Sequence, residues 1–412
     1  MANESPTKVA EWHLHRPSDI PALTGLRIVG AAWVVLYHFQ ATLYEAWPDL
    51  TVFRPVLNLG FSGVPLFFIL SGFIIWHNYG TRATLRPRAT ASFLWRRFAR
   101  LWPVNVLTQA MAIPILWVSV HHFHNFGAPV PGWYSATGWL QNAFMVQEAN
   151  RPEVTYTWNQ PSWSLTAEMA AYVAFPLLLA ALLAARRSRL RPNHAAWFVL
   201  ALLLAYEAET RLTILYAYSW LAQLIVLFVC GVFLRLAGPP TRRAVPFVVA
   251  AQVAAPALVV VACYTKDTRY IGALLAIWVY SLSIDRGPGV WLFSTRAART
   301  AGNSSYSLYM LHWAVFEAGG LLLIEIPTMK SSFLQLYTVV CLLLLAGGSW
   351  AMWRFFETPS RRRLNRLFER LWRPAPSVTH ARAEALAKRR SSSDEPLATA
   401  DHVTIELAPP LP

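Results

Sequence analysis

The stretch Leu26-Arg-Ile-Val-Gly-Ala-Ala-Trp-Val-Val-Leu-Tyr-His-Phe39 places an arginine and a histidine inside an otherwise apolar run. Ionisable side chains are costly in hydrocarbon, so Arg27 and His38 are candidates for a functional site. On a helix, eleven steps of about 100° return to the same face, and the rise separates the two residues by about 16 Å. The sequence therefore predicts a membrane helix with a cation near one end and an imidazole deep inside.

Composition indicates a membrane protein with several spans. Of the 412 residues, 55% are hydrophobic and 14% are charged, whereas soluble domains contain about 25% charged residues. The net charge of +15 comes from short basic runs between apolar segments. The sequence has neither a continuous basic face nor a nucleic-acid-binding motif, so nucleic acid is excluded as a partner. The basic runs favour a role in membrane topology.

Hydropathy predicts an all-α polytopic membrane protein, because about 20 apolar residues form one helical crossing. About ten transmembrane helices are predicted, near residues 23–44, 57–77, 101–120, 162–185, 194–209, 214–234, 244–263, 270–284, 302–324 and 332–356. The eighth segment is short for a crossing. The connection 121–161 is expected to be an interfacial or partly inserted loop.

The distribution of basic residues predicts the orientation. Alternate loops and the two ends contain 24 Lys or Arg residues, against six in the opposite loops. By the positive-inside rule, both termini are expected to be cytoplasmic, in an inner or plasma membrane. The predicted organisation is a cytoplasmic segment 1–22, a transmembrane domain 23–357, and a basic then disordered tail 358–412. The polar first 22 residues favour an uncleaved first helix.

Neither the cysteines nor the clustered histidines have metal-ligand spacing, so no metal site is predicted. These residues are Cys230, Cys263 and Cys341, and His121, His122 and His124.

A basic run marks the start of the third predicted helix. Arg97 and Arg100 are three residues apart and share a helix face. They are either topological anchors or, because guanidinium groups bind phosphate in bidentate fashion, a site for a phosphorylated donor.

Two further polar groups of residues lie on the fourth and ninth predicted helices. Ser164 and Glu168 are spaced i, i+4, and the carboxylate requires a partner in an apolar setting. Its alternative role is to pair with an arginine of another helix. Tyr306, Tyr309 and His312 form a polar stripe, for which hydrogen bonding between helices is the alternative explanation.

Taken together, these segments resemble the integral-membrane acyltransferase family 3 over roughly residues 20–360. The resemblance rests on six motifs in order: Leu23-Thr-Gly-Leu-Arg27 with His38, Phe61-Ser-Gly-Val-Pro-Leu-Phe-Phe-Ile-Leu-Ser-Gly-Phe73, Arg97-x-x-Arg100, Trp163-Ser-Leu-x-x-Glu168, Ser305-Tyr-Ser-Leu-Tyr309 and Glu357-Thr-Pro359. Met169 departs from the pattern, since relatives often have a second polar residue there. From its residues alone, Glu357-Thr-Pro359 is expected to end the tenth helix.

The resemblance implies transfer of an acyl group, commonly acetyl from acetyl-CoA, to a hydroxyl of a glycan or glycoside acceptor. In that reaction His38 would be the general base, with Arg27 and Glu168 as further catalytic residues. Arg97, Arg100 and Arg27 would bind acyl-CoA. Ser164, Tyr306, Tyr309 and His312 would contact the substrate, with Tyr or Ser groups steadying the oxyanion.

Two other classes of function fit the polar residues. A transporter of a small or acidic solute would use Arg27, His38 and Glu168 to line its path, although the chain lacks the twofold repeat that many transporters show. A scaffold or receptor without catalysis is the third class. Transfer by direct attack and transfer through an acyl-histidine both remain open at this point.

Overall fold

The computed structural model describes residues 19–80, 86–122, 135–149, 158–185, 196–197, 200–206, 219–324 and 331–372. Within these ranges every regular element is helical. The helices are α1 (Pro21–Ala46), α2 (Gly63–Tyr79), α3 (Pro87–His122), α4 (Ala136–Ala143), α5 (Trp163–Ala185), α6 (Ser219–Leu236), α7 (Val245–Thr265), α8 (Ile271–Ser281), α9 (Pro288–Phe293), α10 (Arg296–Ile324), α11 (Ser331–Ala351) and α12 (Thr358–Leu371). Short helical turns cover Pro48–Phe53, Arg54–Leu57, Gly60–Ser62, Gln160–Ser162 and Thr268–Tyr270.

Six helices of the described residues are long and apolar enough to cross a membrane. They are α1, α2, α3, α5, α7 and α11, some with the turns that adjoin them. In addition, α6 is a shorter apolar helix, and α8 is as short as the sequence predicts. An all-α, multi-pass membrane protein is confirmed for this part of the chain. The total of ten crossings and the cytoplasmic termini stay predictions, and segment 194–209 is described only at residues 196–197 and 200–206.

Helices α1 and α10 pack closely and run in the same direction. At Gly302 a Cβ atom would collide with the backbone carbonyl of Thr24, so only glycine permits this approach. Ten residues further along α10, His312 meets His38 of α1. The close contact at one end therefore sets the register that brings the two histidines together.

Helix α2 lies at the centre of the described bundle, with 72% of its most apolar window buried, the highest value among the six spans. It packs against α6 through Gly72, where a Cβ atom would collide with the carbonyl of Phe228. The same helix carries Phe67 and Ser71 toward the polar cavity described below.

The expected stop at Glu357-Thr-Pro359 is wrong. Helix α11 continues through a π-helical turn, Met352–Glu357, directly into α12. A π turn interrupts the ordinary i→i−4 bonding, so a proline just beyond it costs less than in a regular helix interior. The chain consists of two compact units, which meet in sequence after Asn365. In the second unit, the described residues 366–372 include the end of α12.

Candidate active site

A polar cavity of about 200 Å³ opens between α1, α2, α3, α5 and α10. Charged side chains from three sequence motifs line it together, namely Arg27, Arg97 with Arg100, and Glu168, and Asp19 lines it as well. Ser164, Tyr306 and Tyr309 also line it. The structure thus brings together seven of the nine residues that the sequence singled out. Asp19, just before α1, lines the cavity and pairs with Arg299. This end of α1 and α10 is called the basic end below.

Arg97 is held by aromatic rings. One Nη donates to the Tyr79 hydroxyl at 3.1 Å, and the guanidinium carbon lies 5.4, 5.7 and 5.9 Å from the ring centres of Tyr79, Phe93 and Tyr172. These distances are those of cation–π contacts. The buried Nε has no hydrogen-bond partner among the described residues, which leaves one donor available.

Arg27 and Arg100 differ from Arg97 in having no anchoring contact. Among the described residues, neither makes a hydrogen bond or an ion pair within contact distance. Arg27 instead interacts through space with Arg100 and with the carboxylates of Glu168 and Glu357, and Arg100 interacts in the same way with Glu357. Two partly buried cations without direct partners attract an anion strongly.

Glu168 belongs to a short hydrogen-bonded chain. The Tyr172 hydroxyl donates to Glu168 Oε1, and because that hydrogen is used, Ser71 Oγ donates to the Tyr172 oxygen at 3.1 Å. The carboxylate therefore has a fixed direction within the arginine-lined cavity. Sequence reasoning missed Tyr172, although it lies one helical turn after Glu168 and shares its face.

Tyr306 and Tyr309 occupy the far wall of the cavity. The Tyr306 hydroxyl donates to the Leu101 carbonyl at 2.7 Å. The Tyr309 hydroxyl lies 3.0 Å from both the Pro161 carbonyl and Ser164 Oγ. Ser164 Oγ is also 3.2 Å from that carbonyl, so the two hydroxyls compete for one acceptor.

His38 and His312 form a pair beyond the cavity, with His312 Nε2 3.2 Å from His38 Nδ1. His312 Nδ1 lies 2.6 Å from the Tyr309 carbonyl, and His38 Nδ1 lies 2.9 Å from the Val34 carbonyl. A carbonyl oxygen only accepts, so both Nδ1 atoms carry hydrogen. In the neutral rings, His312 Nε2 then accepts from His38, and the lone pair of His38 Nε2 has no donor among the described residues.

Aromatic rings surround His38 on the side away from the cavity. The ring centres of Tyr37 and Trp313 lie 4.9 and 5.5 Å from that of His38, both edge-on. Toward the cavity, Tyr309 both lines the polar space and bonds to His312, with Phe67 packed 6.0 Å from its ring. The Tyr309 and Phe67 rings are therefore next to both the arginines and the histidine pair.

Comparison with known proteins identifies the family. The family model described as "Acyltransferase domain" matches residues 20–359. The chain belongs to this acyltransferase family. Membership favours an enzyme over the transporter that the polar residues alone also allow.

Individual members of the acyltransferase family resemble the chain at low sequence identity. The acyltransferase MdmB of Streptomyces mycarofaciens is 27% identical over 333 residues, which cover 73% of this chain and 80% of MdmB. "Putative O-acetyltransferase SACOL0978" of Staphylococcus aureus (strain COL) is 25% identical over 395 residues, covering 86% of this chain and 59% of that protein. The chain therefore spans less than two thirds of the staphylococcal relative. No solved structure matches the chain.

The acyltransferase chain also has a buried polar network that the sequence analysis missed. Asn105 Nδ2 donates to the Asn142 carbonyl at 2.8 Å. Asn159 Nδ2 donates to Thr108 Oγ1 at 2.7 Å and to the Met310 carbonyl at 3.2 Å. These bonds fix the segment before α5 against α3 and α10, beside Tyr309. The amide and hydroxyl side chains within the apolar segment 101–120 were the signal that could have indicated it.

Glu357 is the second carboxylate that the acyltransferase places near the arginines. It is buried, with 4% of its surface exposed, and accepts a hydrogen bond from Ser307 Oγ at 2.7 Å. The π turn before α12 thus directs Glu357 inward. Among the described residues, no group of three His, Cys, Asp or Glu side chains could hold a metal ion; the side chains of the His121–His124 cluster lie outside those described.

Proposed function

We propose that this acyltransferase moves an acyl group, preferably acetyl, from acyl-CoA to a hydroxyl of a sugar-containing acceptor. The observation that carries the proposal is the juxtaposition of an arginine-lined cavity with a histidine whose Nε2 lone pair is free. The staphylococcal relative is named a "putative O-acetyltransferase", which supports acetyl transfer to oxygen.

The donor site is assigned to the basic end of the cavity. Arg27 and Arg100 make no direct bonds to the described residues, and Arg97 has an unused Nε donor, as a site for phosphate requires. The cavity volume of about 200 Å³ is below the roughly 300–1,000 Å³ of sites for drug-sized ligands. It therefore fits a narrow pantetheine arm, with the nucleotide phosphates at the mouth. Glu168, directed by Tyr172, would limit the net positive charge there.

His38 is assigned as the general base. In the proposed step, Nε2 removes the proton of the acceptor hydroxyl, and the oxygen attacks the thioester carbonyl carbon. Throughout, Nδ1–H keeps its bond to the Val34 carbonyl. The carbon–sulfur bond then breaks, and the proton on Nε2 neutralises the departing thiolate. Acyl-CoA supplies only the activated carbonyl.

Tyr309 and Ser164 are assigned to the oxyanion. Their hydroxyls compete for the Pro161 carbonyl, so one can turn toward a developing negative charge while the other keeps that bond. This requires the thioester to pass the Phe67 and Tyr309 rings. Tyr306, whose hydroxyl is bonded to Leu101, would contribute to the wall.

The proposal is tested by incubating the purified full chain with isotope-labelled acetyl-CoA and a panel of glycosides. We expect a labelled acetyl increment on the acceptor by mass spectrometry, with one equivalent of free CoA thiol per product. A glycoside with every hydroxyl methylated is the matched control and should give neither signal. Acetyl-CoA consumption that is independent of an acceptor hydroxyl would contradict O-acyl transfer.

The His312→Leu substitution should lower kcat by about 10- to 100-fold, because the imidazole of His38 loses a group that orients it as the base. The KM for acyl-CoA should stay nearly unchanged. Leucine removes the Nε2 acceptor that holds His38 Nδ1–H. His312→Gln, which offers an amide oxygen, should recover part of the rate. Equal kcat losses in both variants, corrected for folded protein, would contradict the positioning role.

A further inference from the structure

A second space in the described residues lies outside the proposed active site. It is an open groove of about 570 Å³ between α1, α10 and α11. Apolar side chains form most of its walls, including Ile28 and Val35 of α1, Leu308 of α10 and Leu345 of α11. No residue lines both this groove and the polar cavity.

Arg296 stands at the basic end of the groove. Arg299, about one turn further along α10, is paired with Asp19 at 3.2 Å. Arg296 is exposed and makes no hydrogen bond or ion pair with any residue in the described ranges. One uncompensated cation therefore lies at the mouth of an apolar groove.

The length of the groove matches one leaflet of a bilayer. From Arg296 to Leu308, α10 rises about 18 Å, and half of the hydrocarbon core is about 15 Å. Trp350 of α11 lines the groove and is 44% exposed. Tryptophan and arginine are the side chains that favour the level of lipid headgroups.

We propose that this groove binds an anionic glycerophospholipid, with the phosphate on Arg296 and one acyl chain along α1, α10 and α11. The cation selects a negative headgroup, and the apolar walls accept a chain of one leaflet's depth. Because the groove joins α1 to α10, the bound lipid would brace the helix pair that carries His38 and His312.

The test is native mass spectrometry of the purified chain with phosphatidylglycerol or phosphatidylcholine of the same chain length. We expect phosphatidylglycerol to bind about fivefold more tightly, the effect of about one basic residue near a headgroup. Arg296→Gln should abolish that preference, and Ala346→Trp, which fills the groove, should weaken binding of both lipids. Arg242→Gln and Ala254→Trp, at exposed positions elsewhere, should bind as the wild type does.

A second measurement keeps the groove itself testable if Ala346→Trp does not fold. Phosphatidylglycerol with brominated chains should quench tryptophan fluorescence in the wild type, and Trp350→Phe should remove a measurable part of that quenching. The proposal is overturned if Arg296→Gln retains the preference, or if Trp350→Phe leaves the quenching unchanged. It is also overturned if the groove variants alter the oligomeric mass and not the lipid count, since a second copy would then occupy the groove.

Discussion

Replacement of His38 by alanine is expected to lower kcat for acyl transfer by about a thousandfold, within the range that a positioned general base contributes. The reason is that Nε2 of His38 has a free lone pair, whereas His312 Nε2 already accepts from His38. The KM for acyl-CoA should change little, because Arg27 lies about 16 Å away along α1. Steady-state rates of the purified variant, with acyl-CoA varied at saturating acceptor, measure both parameters.

His77→Ala is the matched control for this variant. His77 also lies in a membrane helix and accepts a hydrogen bond from Arg235 Nε at 2.9 Å. It does not line the cavity and does not belong to the histidine pair. Its kcat should remain within about twofold of the wild type. Full transfer by His38→Ala would contradict both direct attack and an acyl-histidine relay. An acyl group trapped on His38, with ping-pong kinetics, would favour the relay.

The sequence singled out residues that the structure brings to one cavity because intramembrane ionisable groups are rare and costly. Arg27 and His38 were predicted to share a helix face. Helical spacing alone left Arg97 and Arg100 open to a role as topological anchors, and Glu168 to a role as the partner of an arginine. A single amino-acid sequence, however, does not show which helices contact one another. The pairing of His38 with His312 depends on the approach of α1 and α10 at Gly302, a long-range contact that no local pattern encodes.

Local chemistry was also misleading at one point. Glu357-Thr-Pro359 has the composition of a helix end, yet a π turn carries the chain through it and buries Glu357 against Ser307. Propensity describes the isolated segment, whereas tertiary hydrogen bonding decides the folded one. The buried amide network around Asn105 and Asn159 was missed for a related reason, since its partners come from distant segments.

Arg100→Gln is expected to raise the KM for acetyl-CoA by about 10- to 100-fold with kcat little changed, the size of one lost charge-assisted hydrogen bond. Arg97 is held by Tyr79 and three ring faces, so its loss would also disturb packing. Arg100 has no such contacts among the described residues, so its substitution isolates anion binding. Arg242→Gln, an exposed arginine elsewhere, controls for the overall loss of one positive charge.

The decisive comparison uses acetyl-pantetheine, a donor with the same thioester and arm but without phosphates. Wild type should bind it more weakly than Arg100→Gln binds acetyl-CoA, because Arg27 and Arg97 also lose their phosphate partners, and the variant should show no further loss with it. Such non-additivity means that Arg100 and the phosphates form one interaction. If Arg100→Gln weakened both donors by the same factor, Arg100 would support the cavity without contacting phosphate. Arg100 would then owe its position to the nearby carboxylate of Glu357 and not to a bound phosphate.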